Sequence, residues 1–348
     1  MSFFREHIAA LEGYEPGEQP TDPAVIKLNT NENPYPPSPK VLEAVGAVTA
    51  EQLRRYPDPL GSQFREVAGQ VFRVSPEQVL CGNGMDELLN MTVRAFSGPE
   101  AAMAYPVPTY TLYAVLARVQ ASIVREVPFP DDFSLPIDAL VKARAQVTYL
   151  ANPNSPTGTF VPVEQVAELA DRLEGVLCVD EAYVDFASQD CLGLARTRRN
   201  VLVMRTMSKG YSLAGIRFGF AVGHRDLIAG LRKIKDSYNV DAVAIAAAAA
   251  ALGDQPYRDR TRGQVIGERE RLVQALAAVG MRCLPSEANF LLARVGRPGA
   301  PALYESLKAR GILVRYFNSP RISDCLRITV GTPRQNDALI AALRELTA

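Results

Sequence analysis

Lys209 lies in TMSKGYSLAGIRFGF, Thr206 to Phe220, directly after VLVMR, an apolar run that reads as a buried strand. Arg217 follows eight positions later among small and apolar neighbours. Lysines normally sit on solvated faces. One carried from a buried strand into a Gly- and Ser-rich turn is a candidate for amine chemistry, with a solvated turn lysine as the bland alternative. Asp180 ends a second apolar run, VLCV, and Tyr183 is three residues on. A carboxylate there either caps a turn or faces a partner that carries positive charge, because burying it unpaired is costly. A third feature is GNGMDE after QVLC, where a helix opens. Backbone N–H groups and the helix dipole can hold a phosphate at such a place.

Familiar alternatives fail on spacing. After Gly82 and Gly84 the next position of a dinucleotide-binding pattern is Glu87, and neither a P-loop nor a G-x-S-x-G is present. Five apolar runs end on polar or glycine residues: GNGMDE, PVPTY, NPNSPTG, DEAY and TMSK. In an open α/β sheet these ends form the ligand-binding edge. Turns alone explain any one of them. Together they offer a lysine, an acid, a phosphate cradle and a flat aromatic, Tyr110. Those are the needs of pyridoxal 5'-phosphate, which takes a covalent lysine, a partner for its ring nitrogen, phosphate donors and a stacking ring.

The elements that position these groups read as α/β. Residues 1–40, with EPGEQP and NTNENPYPPSP, form an arm and loop. Residues 41–250 form a large domain in which short strands alternate with helices, which predicts a mostly parallel sheet covered on both faces. There PKVLEAVGAVTAEQLRRY reads as one helical stretch, and AVAIAAAAAAL as a tightly packed helix. Residues 251–348 form a smaller α/β domain with strands in NFLLARV, ILVRYF and CLRITVG. The chain has 348 residues, 47% hydrophobic and 22% charged, with 38 basic and 38 acidic side chains. This balance gives no argument for a nucleic-acid or membrane partner. Five scattered cysteines without C-x-x-C and two histidines predict no metal site. No signal peptide or membrane-spanning run is recognised, so a reducing cytoplasm is expected.

Taken in order, KLNTNENPYPPSP, RYPDPLG, GNGMDELL, YPVPTYTLY, NPNSPTG, VDEAYVDF, RTMSKGYSLAGIRFGF and LRITVGT resemble the fold-type-I pyridoxal-phosphate-dependent aminotransferases over nearly the whole chain. Within them the chain is similar to the class-II branch acting on histidinol phosphate and glutamate. The resemblance implies that Lys209 is the covalent anchor and proton carrier. Asp180 would face the ring nitrogen, Tyr183 the ring oxygen, and Tyr110 would stack on the ring. Gly84, Met85, Asp86, Thr206, Ser208 and Arg217 would hold the cofactor and its phosphate, with Tyr56 reaching in from the second subunit of a homodimer. Arg327 would bind the substrate's anionic group, with Tyr14 and Arg315 as further contacts to its phosphate. Where many relatives have asparagine before Pro-Thr-Gly, this chain has Ser155, preceded by Asn154; either is a candidate donor to the ring oxygen. An aromatic amino-acid aminotransferase or a threonine-phosphate decarboxylase would share the same frame.

Overall fold

The computed structural model describes residues 3–347 apart from 12 and 14–16, so Tyr14 lies outside the described residues. The arm contributes a short strand, β1 (Ile26–Lys27). The main sheet is built from β2 (Val79–Gly82), β3 (Ala102–Val107), β4 (Ile123–Pro128), β5 (Val147–Ala151), β6 (Val176–Asp180), β7 (Val201–Thr206) and β8 (Gly219–Gly223). Their order is β2-β8-β7-β6-β5-β3-β4. β8 runs antiparallel to both β7 and β2, and the other pairings are parallel. The C-terminal ends of β2, β3, β5, β6 and β7 therefore open on one edge.

The apolar runs are strands because helices cover both sheet faces. β5 and β7 are buried along their whole length. The side-chain alternation of a strand sorts β7 between two cores. Val201 and Val203 join Phe64, Phe218, Phe220 and Ala247 on one face. Leu202 and Met204 join Leu88, Met103, Tyr113 and Tyr149 on the other. In the alanine-rich helix Ala242–Leu252, Asp241 caps the first turn by accepting from Ala244 N (2.8 Å). Its small side chains let it pack closely in the first core.

The single helical stretch expected near residue 39 is two helices, Pro39–Gly46 and Ala50–Arg54. Thr49 starts the second by accepting from Gln52 N, while the Gln52 side chain accepts from Thr49 N. This reciprocal cap satisfies end groups that a continuous helix would not have exposed.

The C-terminal part holds β9 (Arg282–Cys283), β10 (Phe290–Arg294), β11 (Ile312–Leu313), β12 (Arg315–Tyr316) and β13 (Cys325–Thr329). ILVRYF is not one strand. β11 pairs in parallel with β1, whereas β12 joins the antiparallel sheet β12-β13-β10-β9. The arm's Leu28 is thereby buried among Leu276, Leu303, Leu326 and Leu339. That seating carries Asn29–Asn33 across the open edge of the main sheet.

Candidate active site

A cavity of about 650 Å³ lies at that edge. Its walls come from the strand ends, the arm and the β12–β13 pair.

Lys209 follows β7 in a closed turn. Thr206 Oγ1 accepts from Ser208 N (3.1 Å) and donates to Ser208 Oγ (2.9 Å). Met207 N donates to Phe218 O, and Leu213 N to Met207 O, each at 3.0 Å. Gly210 has to be glycine, since a Cβ there would overlap the Asp185 carboxylate. The Lys209 amine donates to Thr30 O (2.9 Å), and Asn33 Nδ2 donates to Lys209 O (3.0 Å). Burial, then the positive charges of Arg327 and Arg217, lower the amine pKa to about 8. The group is thus poised to be a neutral base near physiological pH.

Asp180, 3% exposed, ends β6 beside it. Tyr113 Oη donates to Oδ2 (2.5 Å) and Ala182 N to Oδ1 (3.0 Å). Both donors are neutral, and burial raises the carboxyl pKa to about 6. A buried carboxylate with no cation beside it among the described residues fits a ligand that brings one, such as a protonated ring nitrogen. Tyr183 lies with its ring 5.9 Å from the Lys209 amine and edge-on to Phe290.

Of the two residues before Pro156, Ser155 lines the cavity. It accepts from Arg327 Nη1 (3.3 Å) and lies beside the Tyr183 hydroxyl. Asn154 is buried and turned away, contrary to the expectation that it shares the site. Its Nδ2 donates to Pro108 O and Thr157 Oγ1, and its Oδ1 accepts from Thr109 Oγ1. No hydrogen of its amide is left to donate elsewhere.

At one end of the cavity the helix Met85–Phe96 presents its first turn. Gly84 has φ +77°, and a Cβ on it would lie 2.7 Å from Arg217 Nη2. On Gly219 a Cβ would lie 2.6 Å from Met85 N. Both glycines are needed for β8 and Arg217 to approach the helix start. Arg217 reaches Ser208 Oγ (3.5 Å) and pairs with Asp86 (3.4 Å), whose carboxylate also faces Tyr110 Oη (3.5 Å). Helix N–H groups, a hydroxyl and a guanidinium make a cradle that fits a phosphate. Tyr110 and Thr206 line the same space.

Towards the C-terminal part, Arg315 and Arg327 are direct cross-strand neighbours on β12 and β13, and both line the cavity. Like charges opposite one another are destabilising, and an anion between them relieves the repulsion. Arg327 donates to Asn29 O (2.9 Å) and stacks on Phe290 and Phe317. Tyr56 is not in this cavity; it is 80% exposed and stacks on Tyr238 at 4.4 Å. Sequence reasoning missed Tyr113, Thr30 and Asn31. The three-residue spacing of Tyr110 and Tyr113, which a turn closes with Tyr113 N donating to Tyr110 O, was an available signal for the first. The arm residues had only their asparagines, common in loops. Among the described residues no His, Cys, Asp and Glu group is placed to hold a metal, and no helix is long and apolar enough to cross a membrane.

This geometry has relatives. The histidinol-phosphate aminotransferase 1 of Trichormus variabilis is 47% identical over 346 residues, 99% of each chain. The histidinol-phosphate aminotransferase of Geobacter sp. strain M21 is 44% identical over 347 residues, again 99% of each. Among solved structures, the Sinorhizobium meliloti histidinol-phosphate aminotransferase in complex with pyridoxal-5'-phosphate superposes with a TM-score of 0.91 at 27% identity. That match covers 100% of this chain and 98% of the other. The profile of aminotransferase class I and II matches residues 23–343. With the family pattern running from the arm through the last helix, the chain belongs to the class I and II aminotransferases.

Proposed function

We propose that the chain is a pyridoxal-phosphate-dependent histidinol-phosphate aminotransferase of L-histidine biosynthesis. It exchanges an amino group between histidinol phosphate and 2-oxoglutarate, giving imidazole-acetol phosphate and glutamate, or the reverse. The observation that carries this reading is one cavity holding an amine of lowered pKa, a buried carboxylate without a cation and a facing pair of arginines. The names of the relatives support the substrate.

When bound, pyridoxal phosphate supplies a ring that takes up the electron pair released at the substrate's reacting carbon. Lys209 anchors the cofactor, and its amine, once free, carries the proton from that carbon. Asp180 holds the proton on the ring nitrogen, with Tyr113 keeping the carboxylate in place. Tyr183 and Ser155 would hold the ring oxygen, and Tyr110 would cover the ring. The phosphate would be held by N–H groups of Gly84, Met85 and Asp86, with Thr206, Ser208 and Arg217. Arg327 makes a fork that pairs with either a carboxylate or a phosphate, which suits two alternating amino donors. Arg315 adds a contact to the substrate phosphate.

The enzyme is a homodimer with shared sites, Tyr56 of one copy completing the phosphate cradle of the other. Exposed Leu42, Leu53, Leu60, Tyr56 and Tyr238 support such a covered face. Five free cysteines suit a cytoplasmic enzyme, and the arm (1–40), large (41–250) and small (251–348) domains are its working parts. The decisive assay measures transamination of histidinol phosphate with 2-oxoglutarate beside phenylalanine and threonine phosphate. Preference for phenylalanine would make the enzyme an aromatic aminotransferase, and loss of carbon dioxide from threonine phosphate a decarboxylase. Borohydride should fix the cofactor to Lys209; fixation at another residue, or in Lys209→Ala, would sink the assignment of the anchor.

A further inference from the structure

Asn31 makes a set of hydrogen bonds that the fold alone does not require. It is 1% exposed and sits at φ +55°, a left-handed backbone that asparagine tolerates better than most residues. Its N–H donates to Thr329 Oγ1, and its carbonyl accepts from Asn289 Nδ2, each at 3.0 Å. Its Oδ1 accepts from Thr329 Oγ1 (3.0 Å), and its Nδ2 donates to Tyr183 Oη (3.0 Å). In this set the amide is placed with its oxygen toward Thr329 and its nitrogen toward Tyr183. Thr329 Oγ1 already accepts the backbone N–H, so its own hydrogen is free to go to Oδ1. The amide nitrogen is then left facing Tyr183.

The consequence falls on Tyr183. One lone pair of its oxygen is occupied by Nδ2, so its own hydrogen has to point away from Asn31, to the side where Ser155 and the cavity lie. We propose that Asn31 is a positioning residue, whose amide turns the Tyr183 hydroxyl into a donor directed at the group bound in the cavity. This deepens the function proposed above and rests on that reading for the identity of the group. The neighbouring arm residues act in the same place, with Thr30 O on the Lys209 amine, Asn33 on the Lys209 backbone and Asn29 O on Arg327.

Asn31→Asp is the discriminating variant. It is isosteric, also tolerates the left-handed backbone, and still accepts from Thr329. Its second oxygen, however, can only accept, and so draws the Tyr183 hydrogen away from the cavity. A merely structural role would survive this change. The first readout needs no cofactor: the ionisation of Tyr183 in stripped protein, followed by NMR of ring-labelled tyrosine with Tyr183→Phe as the assignment control. Arg327, Asp180 and Lys209 are the charged groups facing this phenol and are the same in both proteins. Placing a carboxylate against the oxygen should raise the midpoint by about 1 pH unit or more.

The second readout is the pH midpoint of the visible band after pyridoxal phosphate is added. That midpoint should rise, with kcat falling about tenfold, the worth of one hydrogen bond, and KM changing less. Asn31→Gln, which keeps an amide but lengthens it, should fall between wild type and Asn31→Asp in both readouts. An unshifted tyrosine midpoint in a folded Asn31→Asp overturns the proposal. So does a loss of kcat with an unmoved absorbance midpoint. If wild-type protein gains no visible band at all, the cofactor reading fails, while the tyrosine titration still decides the role of Asn31.

Discussion

Asp180→Asn should stabilise the cofactor-free protein relative to wild type as the pH rises. Burial lifts the Asp180 carboxyl from 3.8 to about 6. The folded state therefore holds its proton more tightly than the unfolded chain. The resulting stabilisation is full below pH 3.8 and is lost as the pH climbs through about 6. A shift of that size corresponds to about 3 kcal/mol, of which about 1 kcal/mol is gone by pH 4.5. Asparagine does not titrate. Between about pH 4.5 and about pH 7.5 the stability gap should thus move by about 2 kcal/mol in favour of the variant. A separate offset arises because Tyr113 and Ala182 both donate to Asp180. One of these donors would meet an amide NH2, at a cost of about 1–3 kcal/mol. That offset hardly varies with pH, so it cancels when the gap is followed along the titration. Urea unfolding of both stripped proteins across this range is the assay. A gap flat to within about 0.5 kcal/mol would refute the claim that Asp180 is a strained, uncompensated carboxylate. Added pyridoxal phosphate should then reverse the ranking, because binding stabilises the state that binds best, and only the carboxylate can hold the ring proton.

Other consequences can be checked separately. In stripped protein the Lys209 amine should react with an acylating reagent with a midpoint near 8. Arg327→Ala should raise that midpoint, since Arg327 is the foremost cation lowering it; peptide mapping that finds it unmoved would discard this electrostatic account. Gly219→Ala should weaken pyridoxal phosphate binding, because its Cβ would meet Met85 N at 2.6 Å and the backbone there cannot yield cheaply. Unchanged affinity in a cofactor titration would contradict the cradle. For Arg315→Ala, KM for histidinol phosphate should rise by about tenfold, the worth of one charge-assisted hydrogen bond. If KM for glutamate rises equally, Arg315 is not reading the phosphate. Lys209→Ala and Tyr56→Ala, each defective alone, should regain activity when their subunits are exchanged, since one site of the mixed dimer is then intact; no recovery would remove Tyr56 from the neighbouring site.

The open edge of the main sheet could be anticipated because apolar runs buried on both faces leave an unambiguous mark, and β5, β6 and β7 are such runs. Lys209 and Asp180 stood out for the same reason, as charges placed where those runs stop. Residues acting through long-range contacts carried no comparable signal. Asn31 meets Thr329 across 298 positions and Tyr183 across 152. No local period or turn pattern encodes either meeting. ILVRYF looked like one strand because β-branched, aliphatic and aromatic residues dominate it, with only Arg315 among them. The sheet change at Val314 depends on which partners, β1 and β13, arrive on either side. Asn154 and Ser155 could not be separated in advance, because their roles are set by which side of the chain the following turn exposes.

Arg217 shows how a short local stretch can be recognised while its purpose depends on the whole sheet. β7 runs towards the open edge and delivers Lys209 there; β8 has to return, and it does so antiparallel. A residue just before β8 is therefore at the same edge as the lysine, although eight positions separate them. The order of the sheet then decides its neighbour, because β8 lies between β7 and β2. The helix that follows β2 begins beside the start of β8, at Gly219 and Met85. Arg217, at φ +57°, ends the turn with its guanidinium over Gly84. Had β8 been parallel, a crossover would have placed its first residue at the far edge of the sheet, about 17–20 Å away for strands of this length, and the cradle would have lacked its cation. The one antiparallel strand described in the main sheet is thus what lets one loop carry both the amine and the phosphate-holding arginine.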